Sequence, residues 1–112
     1  MLPKKNRLTK KTDFDKIFKE GEGLKERGLL FKVKTGEGVS RFGIVVSKKV
    51  SRKATERNRI RRILSEAIAQ LKVEITKPVD IVIIVLPSFR IRKEGAAREA
   101  LSQLLQKARL LK

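Results

Sequence analysis

The sequence predicts one α/β (α+β) domain, a two-layer sandwich with helices on one side of a sheet. A chain of 112 residues suits a single core. Segments with helical spacing alternate with segments that have a strand pattern, and an apolar run at 81–86 predicts a strand buried on both faces. The predicted order is αβββαβα, with the third strand of the early group coming from a split of residues 39–50.

The first predicted helix follows a basic, extended arm at 1–11. Residues 12–15 (TDFD) form a capping-box pattern that marks the start of the helix. Phe14, Ile17 and Phe18 then share one helical face, and Gly21 is expected to end the helix.

Two strands are expected next, at 28–34 (GLLFKVK) and 39–47 (VSRFGIVVS). Between them, the segment TGEG at 35–38 contains two glycines that permit a tight reversal. The prediction is a hairpin.

The second helix is predicted from about residue 55 to residue 71. Its apolar residues recur at i, i+3, i+4, i+7 and i+8, which places them on one stripe. The stripe consists of Ile60, Ile63, Leu64, Ala67, Ile68 and Leu71. The opposite half of the helix carries basic side chains and is therefore free to meet a partner.

The last part of the chain predicts a buried strand and a closing helix. Asp80 precedes the apolar run at 81–86, and Pro87 ends it. Residues 94–111 return to helical spacing through alanines and leucines, which predicts an amphipathic helix.

Positive charge is concentrated in two segments. The formal net charge is +17, from 29 Lys and Arg against 12 Asp and Glu. Residues 1–11 hold five basic side chains and no acid, and residues 41–62 hold nine against Glu56 alone, so these segments carry 13 of the 17 net charges. Such a concentration indicates a polyanionic partner, nucleic acid first and an anionic membrane surface second.

Several kinds of function are disfavoured by composition. The chain has no Cys and no His, so it lacks the ligands of a thiolate or imidazole metal site and the residues of a Ser-His-Asp triad or a Cys nucleophile. Tyr and Trp are missing too, and the carboxylates are scattered. The longest apolar run is far shorter than the ~20 residues of a membrane span. We therefore expect a cytoplasmic protein without a catalytic site of its own and without a membrane partner.

Four features in sequence order carry a family resemblance. They are Asp13-Phe14 with Phe18 and Gly21, Ser47-Lys48-Lys49 at the end of a strand, Arg57-Asn58-Arg59 opening the basic helix, and Asp80 before an apolar strand. Together they resemble the bacterial ribonuclease P protein component over essentially the whole chain, 1–112, as a single domain.

This resemblance implies a role as an accessory subunit. In that family a catalytic RNA removes the 5′ leader of precursor tRNA with Mg²⁺ that the RNA holds, and the protein contacts both the RNA and the leader. The resemblance thus implies no catalytic residue, no metal and no tightly bound cofactor in this chain, and no obligate protein partner. It also implies a fold like domain 2 of ribosomal protein S5, with a left-handed β-α-β crossover.

The resemblance also assigns sites residue by residue. The side chains expected to meet the catalytic RNA are Arg52, Lys53, Arg57, Asn58, Arg59, Arg61 and Arg62. Those expected to line a cleft for the single-stranded leader are Phe14, Phe18, Lys32, Lys48 and Lys49. The arm would add Arg7, Lys10 and Lys11. Guanidinium groups suit phosphate, and aromatic rings can lie against unstacked bases.

The chain departs from the family pattern at three positions. Ser65 and Leu86 stand where relatives commonly have Arg, which reduces the basic surface, and Lys32 replaces a cleft aromatic. On spacing alone, Phe14 and Phe18 are core residues one helical turn apart. Only the resemblance turns them toward a cleft.

Other functions remain alternatives. A ribosomal or other structural-RNA-binding protein without a processing role would share the charge and the fold. A helix-turn-helix DNA reader fits less well, because the basic helix follows a predicted strand. An independent nuclease is disfavoured by the missing His.

Overall fold

The computed structural model describes residues 2–91 and 93–111, so Met1, Arg92 and Lys112 lie outside the described residues. The elements in chain order are α1 (Lys11–Glu20), β1 (Glu22–Glu26), β2 (Leu29–Thr35), β3 (Arg41–Val46), α2 (Ala54–Leu71), β4 (Val79–Val85) and α3 (Glu94–Lys107). Single 3₁₀ turns lie at Lys4–Asn6 and Lys72–Glu74. The predicted order αβββαβα is confirmed.

The four strands form one mixed sheet in the order β1-β2-β4-β3. β1 with β2, and β2 with β4, are antiparallel, whereas β3 and β4 run parallel. A parallel pair of neighbours needs a long connection across the sheet, and α2 supplies it. The sheet therefore has β1 at one edge and β3 at the other.

The hairpin predicted between 28–34 and 39–47 is wrong, because β4 lies between β2 and β3. The hairpin in the structure joins β1 to β2 through Arg27 and Gly28, whose φ angles are 44° and 81°. Two successive positive φ angles give the reversal that best matches twisted strands. The extra strand is thus β1 and not a product of splitting residues 39–50.

Helices cover both faces of the sheet, so their predicted placement on one side is wrong. Along β4, Ile81, Ile83 and Val85 belong to the main core with α2 and α3. Val82, which points to the opposite face, is buried with Ile17 of α1. Since successive residues of a strand face opposite sides, α1 lies on the face opposite α2 and α3.

The start of α1 also differs from the prediction. The helix begins at Lys11 with Lys10 as its N-cap, and no side chain caps it. The amides of Asp13 and Phe14 both donate to the carbonyl of Lys10. The expected capping box, in which Thr12 would accept and Asp15 would reach back, is therefore wrong. Asp13, which lies between them, pairs through its carboxylate with Arg41 of β3. Gly21 ends the helix as predicted.

The boundaries of the later elements follow the sequence closely. α2 begins at Ala54, one residue before its predicted start, and ends at Leu71 as predicted. β4 is longer than expected and includes Asp80 within the strand. α3 ends four residues before the predicted residue 111, because Arg109 adopts a positive φ of 59° that reverses the chain.

Candidate nucleic-acid interface

A row of residues across the sheet determines the shape of the surface beside α1. Gly23, Lys32, Val82 and Gly43 are neighbours on β1, β2, β4 and β3 and point to the face that α1 covers. Both edge positions of this row are glycines. The strands therefore contribute no side chain at the two edges of this row, and Val82 fills its centre.

Phe14 occupies the space above Gly43. A Cβ atom at Gly43 would lie 2.5 Å from the Phe14 ring, so the ring lies directly on the backbone of β3. Phe14 is half-buried and packs beside Leu8, Ile17 and Val82. Phe18, one turn further along α1, keeps 39% of its surface exposed.

An open apolar surface, here called the α1 cleft, continues from these two rings along the sheet. It consists of Phe14, Phe18, Leu30, Val45 and Ile84, all outside the fully buried core. Leu30, Ile84 and Val45 pair across β2, β4 and β3, so they form one floor next to the wall made by α1. The family resemblance identified Phe14 and Phe18 as cleft residues, but neither it nor the spacing identified this floor.

Basic residues lie at the ends of the α1 cleft. Lys32 shares the face, and its Nζ lies 3.4 Å from where a Cβ at Gly23 would be, so its side chain extends over β1. Lys48 and Lys49 are exposed in the turn that follows β3, which the Val50 amide closes by donating to the Ser47 carbonyl. The predicted cleft residues thus share one face of the sheet and the end of β3.

Arg41 connects α1 to the sheet beside this cleft. Its Nε and Nη2 donate to the two carboxylate oxygens of Asp80 at 3.1 and 2.8 Å, and its Nη1 donates to Asp13 at 3.2 Å. The hydrogen bond to Asp80 is the main reason that the pKa of Arg41 is raised above its ordinary value, with a smaller opposing effect of burial. Sequence reasoning missed this three-element contact, for which the only signal was a charged residue at the start of each of two apolar strands.

The residues predicted to meet the catalytic RNA divide into two kinds. Arg57 donates through Nη1 to the carbonyls of Ser51 and Arg52, at 2.9 and 3.0 Å, and so closes the loop before the helix. Arg61 donates through Nη1 to the side-chain oxygen of Asn58 at 2.6 Å. These contacts hold both guanidinium groups in place and leave other N–H groups available.

The remaining residues of this set project from the surface. Arg52, Lys53, Asn58, Arg59 and Arg62 are exposed. Within residues 2–91 and 93–111, neither Arg59 nor Arg62 has a side-chain hydrogen bond or ion pair. We call these five residues together with Arg61 the α2 basic face.

The N-terminal segment lies against the edge strand β3. The Leu8 amide donates to the Phe42 carbonyl at 2.9 Å, while Leu2 and Leu8 are buried on opposite sides of the sheet. Buried Asn6 donates to the Ser40 carbonyl and accepts a hydrogen bond from Lys72. The three predicted arm residues, Arg7, Lys10 and Lys11, are all exposed.

The described residues hold no group of three or more His, Cys, Asp or Glu side chains that could bind a metal ion. Nor does any described helix have the length and apolar character needed to cross a bilayer.

Comparison with known proteins places the chain in a family. A model of the Ribonuclease P family matches residues 2–109. The chain belongs to this family. It is a protein subunit of ribonuclease P, the endoribonuclease of tRNA 5′ maturation, which is the function that the resemblance implied. The alternative of a structural-RNA-binding protein without a processing role is therefore not favoured.

Individual relatives are similar over nearly their whole length. The ribonuclease P protein component of Lactobacillus johnsonii is 34% identical, with 98% of this chain and 92% of the relative covered. The structure of the Staphylococcus aureus RNase P protein matches with a TM-score of 0.84 at 27% identity, covering 96% of this chain and 98% of the other. The Thermotoga maritima RNase P protein matches with a TM-score of 0.79 at 36% identity, covering 90% and 96%.

Proposed function

We propose that this subunit binds the ribonuclease P catalytic RNA through the α2 basic face and the 5′ leader of precursor tRNA through the α1 cleft. The observation that supports the first contact is the exposure of Arg59 and Arg62 without partners in the described part of the chain. An unpaired guanidinium suits phosphate, and the N-terminal end of α2 adds a positive field of its own.

The α1 cleft suits a flexible single strand. Its apolar floor and the exposed ring of Phe18 offer a surface on which an unstacked base can lie. Lys32, Lys48 and Lys49 stand where they can pair with leader phosphates. Recognition of this kind depends on the absence of base pairing and not on the leader sequence.

Arg57 has a supporting role in this proposal. Since two of its hydrogen bonds close the loop at Ser51 and Arg52, it orients Arg52 and the start of α2. Its remaining N–H groups can still reach the RNA. Arg7, Lys10 and Lys11 extend the positive surface along the arm, which lies beside α2 and β3.

The chemistry belongs to the RNA in this proposal. Mg²⁺ is held by the RNA, and the protein raises the effective affinity for the substrate. The protein acts as one domain over 1–112, in the cytoplasm and without an obligate protein partner. The left-handed β3-α2-β4 crossover of an S5-like fold is part of the same proposal, as the family implies.

Reconstitution tests the proposal. The purified protein is combined with a ribonuclease P RNA, and precursor tRNA cleavage is measured at low Mg²⁺, where RNA alone is slow. We expect fast cleavage only when both components are present. Cleavage by RNA-free protein, or no stimulation by a protein that binds the RNA, would contradict it.

A further inference from the structure

A small groove runs along the outer edge of β3. Its volume is 190 Å³. Nine residues line this β3-edge groove, among them Arg7, Phe14, Phe42, Ile44, Arg61 and Ser65. It therefore lies between the N-terminal segment and α1 on one side and α2 on the other.

The backbone of β3 is available at this groove. The Phe42 carbonyl pairs with the N-terminal segment, and beyond Phe42 no described strand pairs with the outer edge of β3. Backbone groups of alternate residues in a strand point to the same side, so the amide and carbonyl of Ile44 face the same edge as those of Phe42. An open sheet edge of this kind offers one donor and one acceptor to a ligand.

Two guanidinium groups stand at the groove, and each is anchored. Arg7 donates through Nε to the Leu2 carbonyl at 2.9 Å, and Arg61 donates through Nη1 to Asn58 at 2.6 Å. The other N–H groups of both side chains remain available in a fixed orientation, which favours phosphate binding. None of the nine lining residues is acidic.

The size of the groove limits its occupant. Ordinary small-molecule pockets have about 300 to 1,000 Å³, so 190 Å³ is too little for a whole nucleotide cofactor. The volume equals that of about six water molecules at roughly 30 Å³ each. A single planar group of a larger, negatively charged molecule would fit such a groove.

We propose that the β3-edge groove holds one unstacked base of the catalytic RNA, with the adjacent phosphates paired to Arg7 and Arg61. The inference rests on the proposed assembly with that RNA. The base would lie against the apolar lining beside Phe14, and its edge would pair with the Ile44 backbone. Stacking on protein and edge pairing are how proteins hold unpaired RNA bases. Arg61 links this groove to the α2 basic face, so both engage the same RNA.

Ser65→Leu tests the groove without removing a charge. Ser65 is half-buried on α2 and lines the groove, so a leucine there fills space that the base requires. Ser102→Leu is the matched control, because Ser102 is also half-buried on a helix and lines a different groove, between α2 and α3. We expect Ser65→Leu to weaken binding of the catalytic RNA at least about five-fold, the lower limit for loss of one stacked base. Ser102→Leu should bind like the wild type.

Chemical probing supplies the second measurement. Dimethyl sulfate and a carbodiimide report exposed base edges of the RNA with and without saturating protein. The proposal predicts a base that the wild type and Ser102→Leu protect and that stays reactive with Ser65→Leu. If Ser65→Leu does not fold, Arg7→Gln, at an exposed position, is the test variant instead. A base that the wild type and Ser102→Leu protect should then stay reactive with Arg7→Gln.

The outcomes are separable. Equal affinities of the two serine variants, or no base whose protection depends on residue 65 or 7, would overturn the groove proposal while the proposed function stands. Failure of the wild-type protein to bind the catalytic RNA would overturn the proposed function, and the groove proposal with it.

Discussion

Arg41→Ala is expected to destabilise the protein more than Asp80→Ala. Both substitutions remove the two hydrogen bonds between Arg41 and Asp80, and Arg41→Ala also removes the one to Asp13. The larger part of the difference lies in the group left behind. The Asp80 side chain is 11% exposed, so without Arg41 its carboxylate would remain almost dehydrated and unpaired. The Arg41 side chain is 36% exposed and still has Asp13 at 3.2 Å, so without Asp80 it can reach both water and a second acid.

The magnitudes follow from these exposures. Removal of one partner of a buried ion pair costs about 3 to 5 kcal/mol. Because this pair is only partly buried, the lower end of the range, about 3 kcal/mol, applies to Arg41→Ala. Loss of hydrogen bonds to a charged group that can rehydrate costs about 1.5 to 3 kcal/mol, which applies to Asp80→Ala. Asp13→Ala removes one partly exposed ion pair and should cost about 0.2 to 1 kcal/mol. Arg41, like any arginine, is charged at all ordinary pH values. Stabilisation by its raised pKa is lost only as the pH rises through that pKa, so the contribution of Arg41 does not change over this range.

Urea unfolding of the three single variants and of Arg41→Ala combined with Asp80→Ala measures these free-energy differences. The double variant should cost less than the sum of the two single substitutions, since it leaves neither charge stranded. A larger loss for Asp80→Ala than for Arg41→Ala, or additive losses, would refute the reasoning from exposure.

Three further predictions concern side chains at the surface. Phe18→Ala should weaken binding of precursor tRNA by about 1 to 3 kcal/mol relative to mature tRNA, which lacks the leader; equal losses for both in filter binding would place the leader elsewhere. Arg59→Ala with Arg62→Ala should leave folding nearly unchanged and lower the slope of log K against log salt by roughly 0.7 to 0.9 for each phosphate that the two arginines neutralise. An unchanged slope would show that these arginines do not meet phosphate. Lys107→Gln should raise the pKa of Glu26, because the hydrogen bond from Lys107 is the main cause that lowers it below 4.5. The stabilisation that comes from a lowered pKa is fully present above the ordinary pKa and is lost as the pH falls through the lowered pKa. The free energies of unfolding of variant and wild type should therefore converge in acid, and NMR titration of the Glu26 carboxylate measures its pKa directly.

Periodicity predicted the parts of the fold that depend on local pattern. α2 could be placed to within one residue because its apolar stripe is long and regular. β1 could not, because Leu24 is its only apolar residue that packs on the core. The strand order does not follow from neighbours along the chain, since β2 pairs with β4 across more than 40 residues. The glycines at 36 and 38 lie in the connection from β2 to β3, which passes the end of β4 and does not form a hairpin.

The part of the candidate site that could be predicted from the sequence is the part defined by the concentration of charge. The basic start of α2 follows from nine basic residues against one acid at 41–62. The anchoring of Arg57 on Ser51 and the contact of Arg41 with Asp80 depend on distances between elements, which no spacing encodes. The β3-edge groove depends on Gly43, whose missing side chain lets the Phe14 ring lie on the strand.

The way α1 is held explains why its surface remains available for a ligand. α1 has ten residues and buries only Ile17 completely, whereas α2 and α3 each bury five residues. A helix this short is marginal by itself, so it depends on tertiary contacts. Arg41 supplies polar contacts of this kind at the Asp13 end, which allows the Phe18 end to remain exposed. If more of α1 were packed into the core, the helix would be more stable but the open apolar wall of the α1 cleft would disappear. The ion pair between Arg41 and Asp13 therefore adds a contact at the N-terminal end of α1 to the packing of Ile17 and Phe14 that positions this helix.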